Sequence, residues 1–139
     1  MRDPLLRMAF VLGLLAAVGP FAIDMYLPAL PRVAEDLGTN ETVVALTLAV
    51  YLLAFGLAQM VYGPMSDAMG RKRPMAIGVG TFALAAIAAA LAPSIGWLIA
   101  ARAVHGFGAA TLMVVPRAVI RDVATGPDAT RIMAMGRMA

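Results

Sequence analysis

The stretch GPMSDAMGRKRP, residues Gly63 to Pro74, separates two long apolar runs of the chain. Two glycines, an acid and a basic triplet in so short a stretch predict a tight reversal that holds Asp67 close to several hydrogen-bond donors. The basic triplet alone is also what the positive-inside rule places at the cytoplasmic end of any membrane helix. The ordered combination, with Gly63 and Gly70 on either side of Asp67, is more specific than the triplet.

The sequence around this loop has the composition of a membrane protein. Of its 139 residues, 62% are hydrophobic and 14% are charged, and the mean hydropathy is +0.86. Soluble domains carry about a quarter charged residues, and a membrane helix needs roughly 20 mainly apolar ones. We therefore expect an all-α, polytopic helical membrane bundle that forms one domain over residues 1–139. Its spans are predicted at about 5–30, 42–65, 74–92 and 97–118, with the start of a fifth helix at about 128–139.

The distribution of basic residues predicts the orientation of the bundle. Arg32 lies in an acidic connection, and Arg102 lies inside an apolar run. The other basic residues all fall on the opposite side from Arg32: Arg2, Arg7, Arg71, Lys72, Arg73, Arg117, Arg121, Arg131 and Arg137. We therefore expect a multi-pass protein of the cell (inner) membrane with a cytoplasmic N-terminus. The first span imitates a signal peptide, but its apolar run continues without a convincing cleavage site.

Several classes of function are disfavoured by the composition. The formal charge of +3 lies at the ends of apolar runs, so we expect no nucleic-acid partner. The absence of cysteine and the presence of a single histidine argue against a metal site, and no cofactor motif is recognisable. Because no nucleophile–base pair or phosphate loop is evident, we expect no enzymatic activity.

The loop sequence resembles the G-x-x-x-D-x-x-G-R-R/K signature of the major facilitator superfamily, which lies between the second and third helices of that family. The matching positions are Gly63, Asp67, Gly70, Arg71 and Lys72. The family usually has a basic residue directly after the aspartate, where this chain has Ala68. The resemblance implies a cytoplasmic gating motif at this loop.

The second informative stretch is IDMYLPALP, residues Ile23 to Pro31. An unpaired carboxylate is costly in an apolar helix, so Asp24 is expected to find a cation or to take up a proton. Alternatively, Asp24 already lies at the outer headgroup level and begins a proline-containing loop. The stretch resembles the first-helix motif of the drug:proton antiporters of the bicyclomycin and chloramphenicol resistance type.

The third stretch is LIAARAVHGFGAA, residues Leu98 to Ala110, in which Arg102, His105 and Gly106 share one helical face. It resembles the fourth-helix pattern R-x-x-Q-G-x-G of the superfamily, in which the arginine is associated with proton coupling and His105 replaces a glutamine. Alternatively, Arg102 extends to the outer headgroups, and His105 is a hydrogen-bonded packing residue. Small residues at packing spacing predict close helix contacts at Gly106, Gly108 and Ala110.

Depth along the helices predicts a pairing between two of these groups. Asp24 lies roughly 10 Å below Pro31, and Arg102 lies roughly 7 Å below Trp97, both measured inward from the outer face. We therefore expect that Asp24 and Arg102 can meet, with His105 nearby, as a site for protons and substrate. At the opposite end, Asp122 is expected to pair with Arg71 or Arg73, and Asp67 with Arg121 or a helix N-terminus. Alternatively, these are ordinary solvated interface charges.

Taken together, the resemblances imply the N-terminal portion of a proton-coupled multidrug efflux transporter that works by alternating access. Its implied partners are a drug-like small molecule, protons, the bilayer and the C-terminal helices of a full-length transporter. One alternative is a small four-helix carrier that acts as a dimer, although such carriers use a glutamate and lack the loop signature. Another is a truncated membrane fragment that inserts without transporting.

Overall fold

The structure is a computed structural model that describes residues 4–125. Its helices are α1 (Pro4–Tyr26), α2 (Leu30–Asp36), α3 (Glu41–Met69), α4 (Lys72–Ala90) and α5 (Ile95–Thr125), and a 3₁₀ turn (Leu27–Ala29) joins α1 to α2. No strand occurs in residues 4–125. Within that range, four segments are long and apolar enough to cross a membrane. The prediction of an all-α membrane bundle is confirmed.

The helix boundaries differ from the predicted spans by several residues. Helix α1 ends at Tyr26, and the 3₁₀ turn and α2 that follow each have a proline in their first turn, Pro28 and Pro31. The first apolar segment nevertheless continues from Arg7 to Asp36. Proline is tolerated in a first helical turn, where no intrahelical N–H is needed. Helices α3 and α5 contain Pro64 and Pro116, as the predicted spans did, but they end at Met69 and Thr125, beyond the predicted ends at 65 and 118. The predicted fifth helix at about 128–139 lies outside the described residues.

The two reversals that frame α3 depend on residues with defined backbone roles. Asn40 caps the N-terminus of α3, where its side-chain oxygen accepts a hydrogen bond from the Val43 N–H at 3.0 Å. At the other end, Gly70 adopts φ +79°, a conformation that residues with a Cβ rarely adopt. The second glycine of the loop motif therefore ends α3 and allows the chain to enter α4.

Helix α5 lies at the centre of the described bundle. In the 18-residue apolar stretch of α5, 61% of the residues are buried, whereas 11% to 22% are buried in the corresponding stretches of the other three spans. A Cβ added at Gly106 would overlap the backbone carbonyl oxygen of Tyr51 in α3, and one at Gly108 would lie 2.6 Å from the backbone nitrogen of Phe82 in α4. Positions two apart on a helix are separated by about 200°. The two glycines therefore seat α3 and α4 on opposite sides of α5, and Ala110 is completely buried beside them.

Candidate functional site

Arg71 connects three elements at one end of the bundle. Its Nη1 donates to Asp67 Oδ1 at 2.7 Å and to Ser66 Oγ at 2.7 Å, both in the last turns of α3. Its Nε and Nη2 donate to the two carboxylate oxygens of Asp122 in α5, at 2.9 Å and 3.3 Å. We call this group of four residues, Ser66, Asp67, Arg71 and Asp122, the Arg71 clasp. The clasp ties the start of α4 to the adjoining ends of α3 and α5.

The electrostatics of the clasp favour charged Arg71. The hydrogen bond to Asp122, followed by the bond to Asp67, raises the pKa of Arg71 above its ordinary value. The arginine side chain is 24% exposed, whereas Asp67 and Asp122 are 61% and 50% exposed. Because solvent screens such pairs, the clasp derives its specificity mainly from its two-pronged geometry rather than from a large ionic energy.

The clasp includes one of the predicted pairings, because Asp122 contacts Arg71, one of its two expected partners. Asp67 also contacts Arg71, which is the N-cap residue of α4 and follows the Gly70 reversal. The predicted pairing of Asp67 with Arg121 stays a prediction. Arg121 lines a cavity of about 340 Å³ beside the clasp, together with Gly63 and other residues of α3 and α5. Lys72 begins α4 and is exposed.

A buried polar group lies deeper in the bundle around Arg102. Arg102 is only 3% exposed, so its side chain is enclosed by the protein. Its guanidinium carbon lies 4.0 Å from the ring centroid of Tyr26 and 4.6 Å from that of Tyr51. Its Nη1 lies 3.1 Å from Nδ1 of His105. Two aromatic rings and an imidazole therefore surround the cation.

Tyr26 also links this group to α3. Its hydroxyl lies 2.6 Å from Oγ1 of Thr47, whose own proton is donated to the Val44 carbonyl oxygen. Because a threonine hydroxyl has one proton, Tyr26 is the donor in the Tyr26–Thr47 bond. Sequence reasoning did not identify Tyr26, Thr47 or Tyr51. The available signal for Tyr26 was an aromatic residue close to the predicted depth of Arg102, since aromatic faces attract cations.

The predicted pairing of Asp24 with Arg102 is not present in the structure. Asp24 is exposed and lines an open depression of about 530 Å³, together with apolar residues of α1 such as Leu14 and Phe21. Because Asp24 and Tyr26 are two residues apart, they face opposite sides of α1, about 200° from each other. Because Tyr26 is on the side of α1 that faces Arg102, Asp24 is on the side that faces away from it. The depth estimate was insufficient because it ignored rotation about the helix axis.

Comparison with known proteins agrees with this architecture. The family model described as Major Facilitator Superfamily matches residues 12–139. This chain belongs to the major facilitator superfamily. It is 42% identical over 94% of its length to an uncharacterized MFS-type transporter, YdgK, of Bacillus subtilis. No solved structure matches the chain significantly.

Other relatives in the superfamily are named for drug resistance. The chain is 38% identical over 84% of its length to multidrug resistance protein D of Escherichia coli, and 34% identical over 88% to a bicyclomycin resistance protein homolog of Haemophilus influenzae. The resemblance to the drug antiporter group is therefore confirmed. The chain spans about a third of the length of these relatives: 32%, 30% and 31% for the three proteins in the order given.

Proposed function

We propose that this chain forms part of a proton-coupled multidrug efflux transporter, a drug:proton antiporter that works by alternating access. Membership of the superfamily supports transport of a small molecule, and the names of the relatives support drug-like substrates. Because the chain spans about a third of those relatives, we assign the activity to a protein of their full length. We propose that this protein resides in the inner membrane with its N-terminus in the cytoplasm.

The observation that carries the proposal is the position of Asp24. Its carboxylate borders a depression lined by Leu14, Ala17, Val18 and Phe21, in a helix apolar enough to cross a membrane. An ionisable side chain within a membrane helix is a functional-site hypothesis by default, and we propose that this carboxylate binds protons and substrate in turn. The same depression offers apolar contacts to a drug. Competition between a proton and a substrate for this site would couple their opposite movements.

Asp24 and Arg102 act from opposite sides of α1 in this proposal. Arg102 is held by Tyr26 and Tyr51 on the side of the helix that faces the bundle interior. Because Asp24 and Arg102 lie on opposite sides of α1, their charges interact more weakly than those of a direct ion pair. Rotation or tilting of α1 would change their separation and therefore the strength of this interaction.

The Arg71 clasp supports the alternating-access part of the proposal. Domain rocking requires helices that move together as one body. By joining the ends of α3 and α5 through the start of α4, the clasp couples these three helices at a single point. It is formed in this structure, and we propose that it stabilises one of the two access states.

The proposal is tested by drug accumulation in a host strain that lacks its own exporters. The full-length reading frame containing this chain should lower the cellular accumulation of chloramphenicol or bicyclomycin, and a protonophore should restore it. A vector that encodes only this chain serves as the control for insertion without transport. Equal accumulation of both drugs with the full-length protein and with an empty vector would contradict the proposal.

A further inference from the structure

The contact between Arg102 and His105 determines which protonation state the histidine has. Arginine has only donors, so in the 3.1 Å contact between Nη1 and Nδ1 the imidazole nitrogen must be the acceptor. An accepting Nδ1 carries no proton. His105 is therefore neutral here, and its single proton is on Nε2, which has no hydrogen-bond partner in the described residues.

Among residues 4–125, the contacts of His105 are aromatic rings and Arg102, and no carboxylate is paired with it. The ring of Tyr51 from α3 lies edge-on at 5.4 Å, and the ring of Phe82 from α4 lies at 4.3 Å between centroids. The cation of Arg102 on the same helix opposes a second positive charge. Arg102 and His105 line a cavity of about 360 Å³ together with Asp36 of α2. The Asp36 carboxylate is exposed, and its Oδ1 lies 3.4 Å from Nε of Arg32.

The same contact determines which edge of Arg102 remains available. Nε and Nη2 of Arg102 are buried and have no partner in the described part of the chain. Arg71 uses this same pair of nitrogens to hold both carboxylate oxygens of Asp122. By binding Nη1, His105 leaves the Nε–Nη2 edge of Arg102 as the fork that suits a carboxylate.

From these contacts we propose that His105 is a neutral positioning residue for Arg102 and does not carry protons during transport. Its Nδ1 holds the guanidinium in a fixed orientation and keeps the Nε–Nη2 edge free for a carboxylate. The effect of this role on transport rests on the proposed antiport function. The hydrogen bond and the tautomer are properties of the fold and can be measured without any transport.

The first test is nitrogen NMR of the purified protein, labelled with ¹⁵N-histidine and placed in lipid nanodiscs. The chain contains one histidine, so the 139-residue protein gives the signals of His105 alone. We expect an unprotonated Nδ1 and a protonated Nε2 that persist from about pH 8 to about pH 5, a range in which a solvent-exposed histidine becomes charged. A protonated Nδ1, or formation of imidazolium within that range, would overturn the proposal.

The second test uses two variants of nearly equal shape in the full-length transporter. His105→Asn retains an acceptor oxygen near the place of Nδ1, whereas His105→Leu does not. We expect His105→Asn to keep both the transport rate and its pH profile within about twofold, and His105→Leu to lower the rate on the order of tenfold, the effect of losing a buried hydrogen bond to a charged group.

The outcomes of the variant test are distinct. If His105→Asn transports but loses one limb of the pH profile, the histidine titrates and the proposal is wrong. If His105→Leu transports like the unmodified protein, the positioning role is wrong. If the unmodified transporter moves no drug, the proposed function fails, and the NMR experiment still decides the protonation state of His105.

Discussion

Arg71 and Arg102 carry the same guanidinium group in opposite electrostatic settings. Arg71 lies at the end of the bundle and binds two carboxylates and a hydroxyl. Arg102 is buried against aromatic rings and an imidazole, with no carboxylate in contact among the described residues. The first arginine fixes the positions of helix ends, and the second is a buried positive charge whose proposed role depends on its effect on a nearby acid.

The clasp predicts that Arg71 cannot be replaced by lysine without loss. Arg71→Lys retains the charge but not the fork that holds both oxygens of Asp122, so its melting temperature should fall below that of the unmodified protein. Because both carboxylates are at least half exposed, the fall should be small. The exposed neighbour Arg73 is the control, and Arg73→Lys should melt like the unmodified protein. Equal melting temperatures for the two variants would show that the two-pronged contact with Asp122 adds nothing to stability.

The stabilising effect of Arg71 should not depend on pH near neutrality. Hydrogen bonds to Asp122 and Asp67 raise the pKa of Arg71, so its stabilisation is fully present below the pKa of an unfolded arginine. That stabilisation is lost only as the pH rises through the folded-state value. The contribution of charged Arg71 to the stability of the fold should therefore be the same at all pH values between about 6 and 9. This is checked by comparing melting temperatures of the unmodified protein and Arg71→Gln across that range; a difference that shrinks towards pH 9 would contradict it.

At the scale of the elements, the packing of α5 depends on its two glycines. Because Gly106 faces the backbone of α3 and Gly108 faces that of α4, neither helix can approach as closely if a side chain is added. Close approach is what holds helices together in lipid, where the hydrophobic effect between them is weak. The other spans are mostly apolar on their outward faces, as expected for contact with lipid.

Gly106→Ala should therefore destabilise the bundle, by about 1–3 kcal/mol, the usual cost of overpacking. The added Cβ would overlap the carbonyl oxygen of Tyr51, which is backbone and cannot rotate away. Gly80→Ala is the matched control, because its Cβ meets nothing within 4 Å. The control should be neutral or slightly stabilising, since alanine is the better helix former. Thermal unfolding of both variants in detergent measures the difference, and equal stability would contradict the packing account.

Much of this architecture was predictable from the sequence. The apolar runs gave the class of fold, and the glycines of the loop and of LIAARAVHGFGAA indicated where the chain turns and packs. The sites were less predictable. Depth along a helix follows from residue counting, but which side chains meet depends on rotation about the axis, so Asp24 was paired with the cation that Tyr26 contacts instead. The helix ends were also imprecise, because α3 and α5 were predicted to end at about 65 and 118 but continue to Met69 and Thr125.

At the scale of the whole molecule, the proposed orientation can be tested by labelling. Nine of the eleven basic residues lie on the side predicted to be cytoplasmic. Cysteines introduced at the exposed positions Asp36 and Arg73 should therefore react from opposite sides of the membrane in intact cells. An impermeant maleimide should label Asp36→Cys and leave Arg73→Cys unlabelled until the cells are opened. Labelling of both variants from outside would contradict the topology.

The most direct test of the central claim is drug-driven proton movement in everted membrane vesicles that contain the full-length transporter. After respiration has acidified the vesicles, adding chloramphenicol should release protons, as reported by a pH-sensitive dye. Asp24→Asn should abolish this release, because it removes the carboxylate that is proposed to carry the proton. Asp36→Asn is the control, since its carboxylate is exposed and paired with Arg32. The account predicts proton release from the unmodified protein and from Asp36→Asn, and none from Asp24→Asn at equal protein levels. Undiminished, drug-dependent release from Asp24→Asn would contradict it.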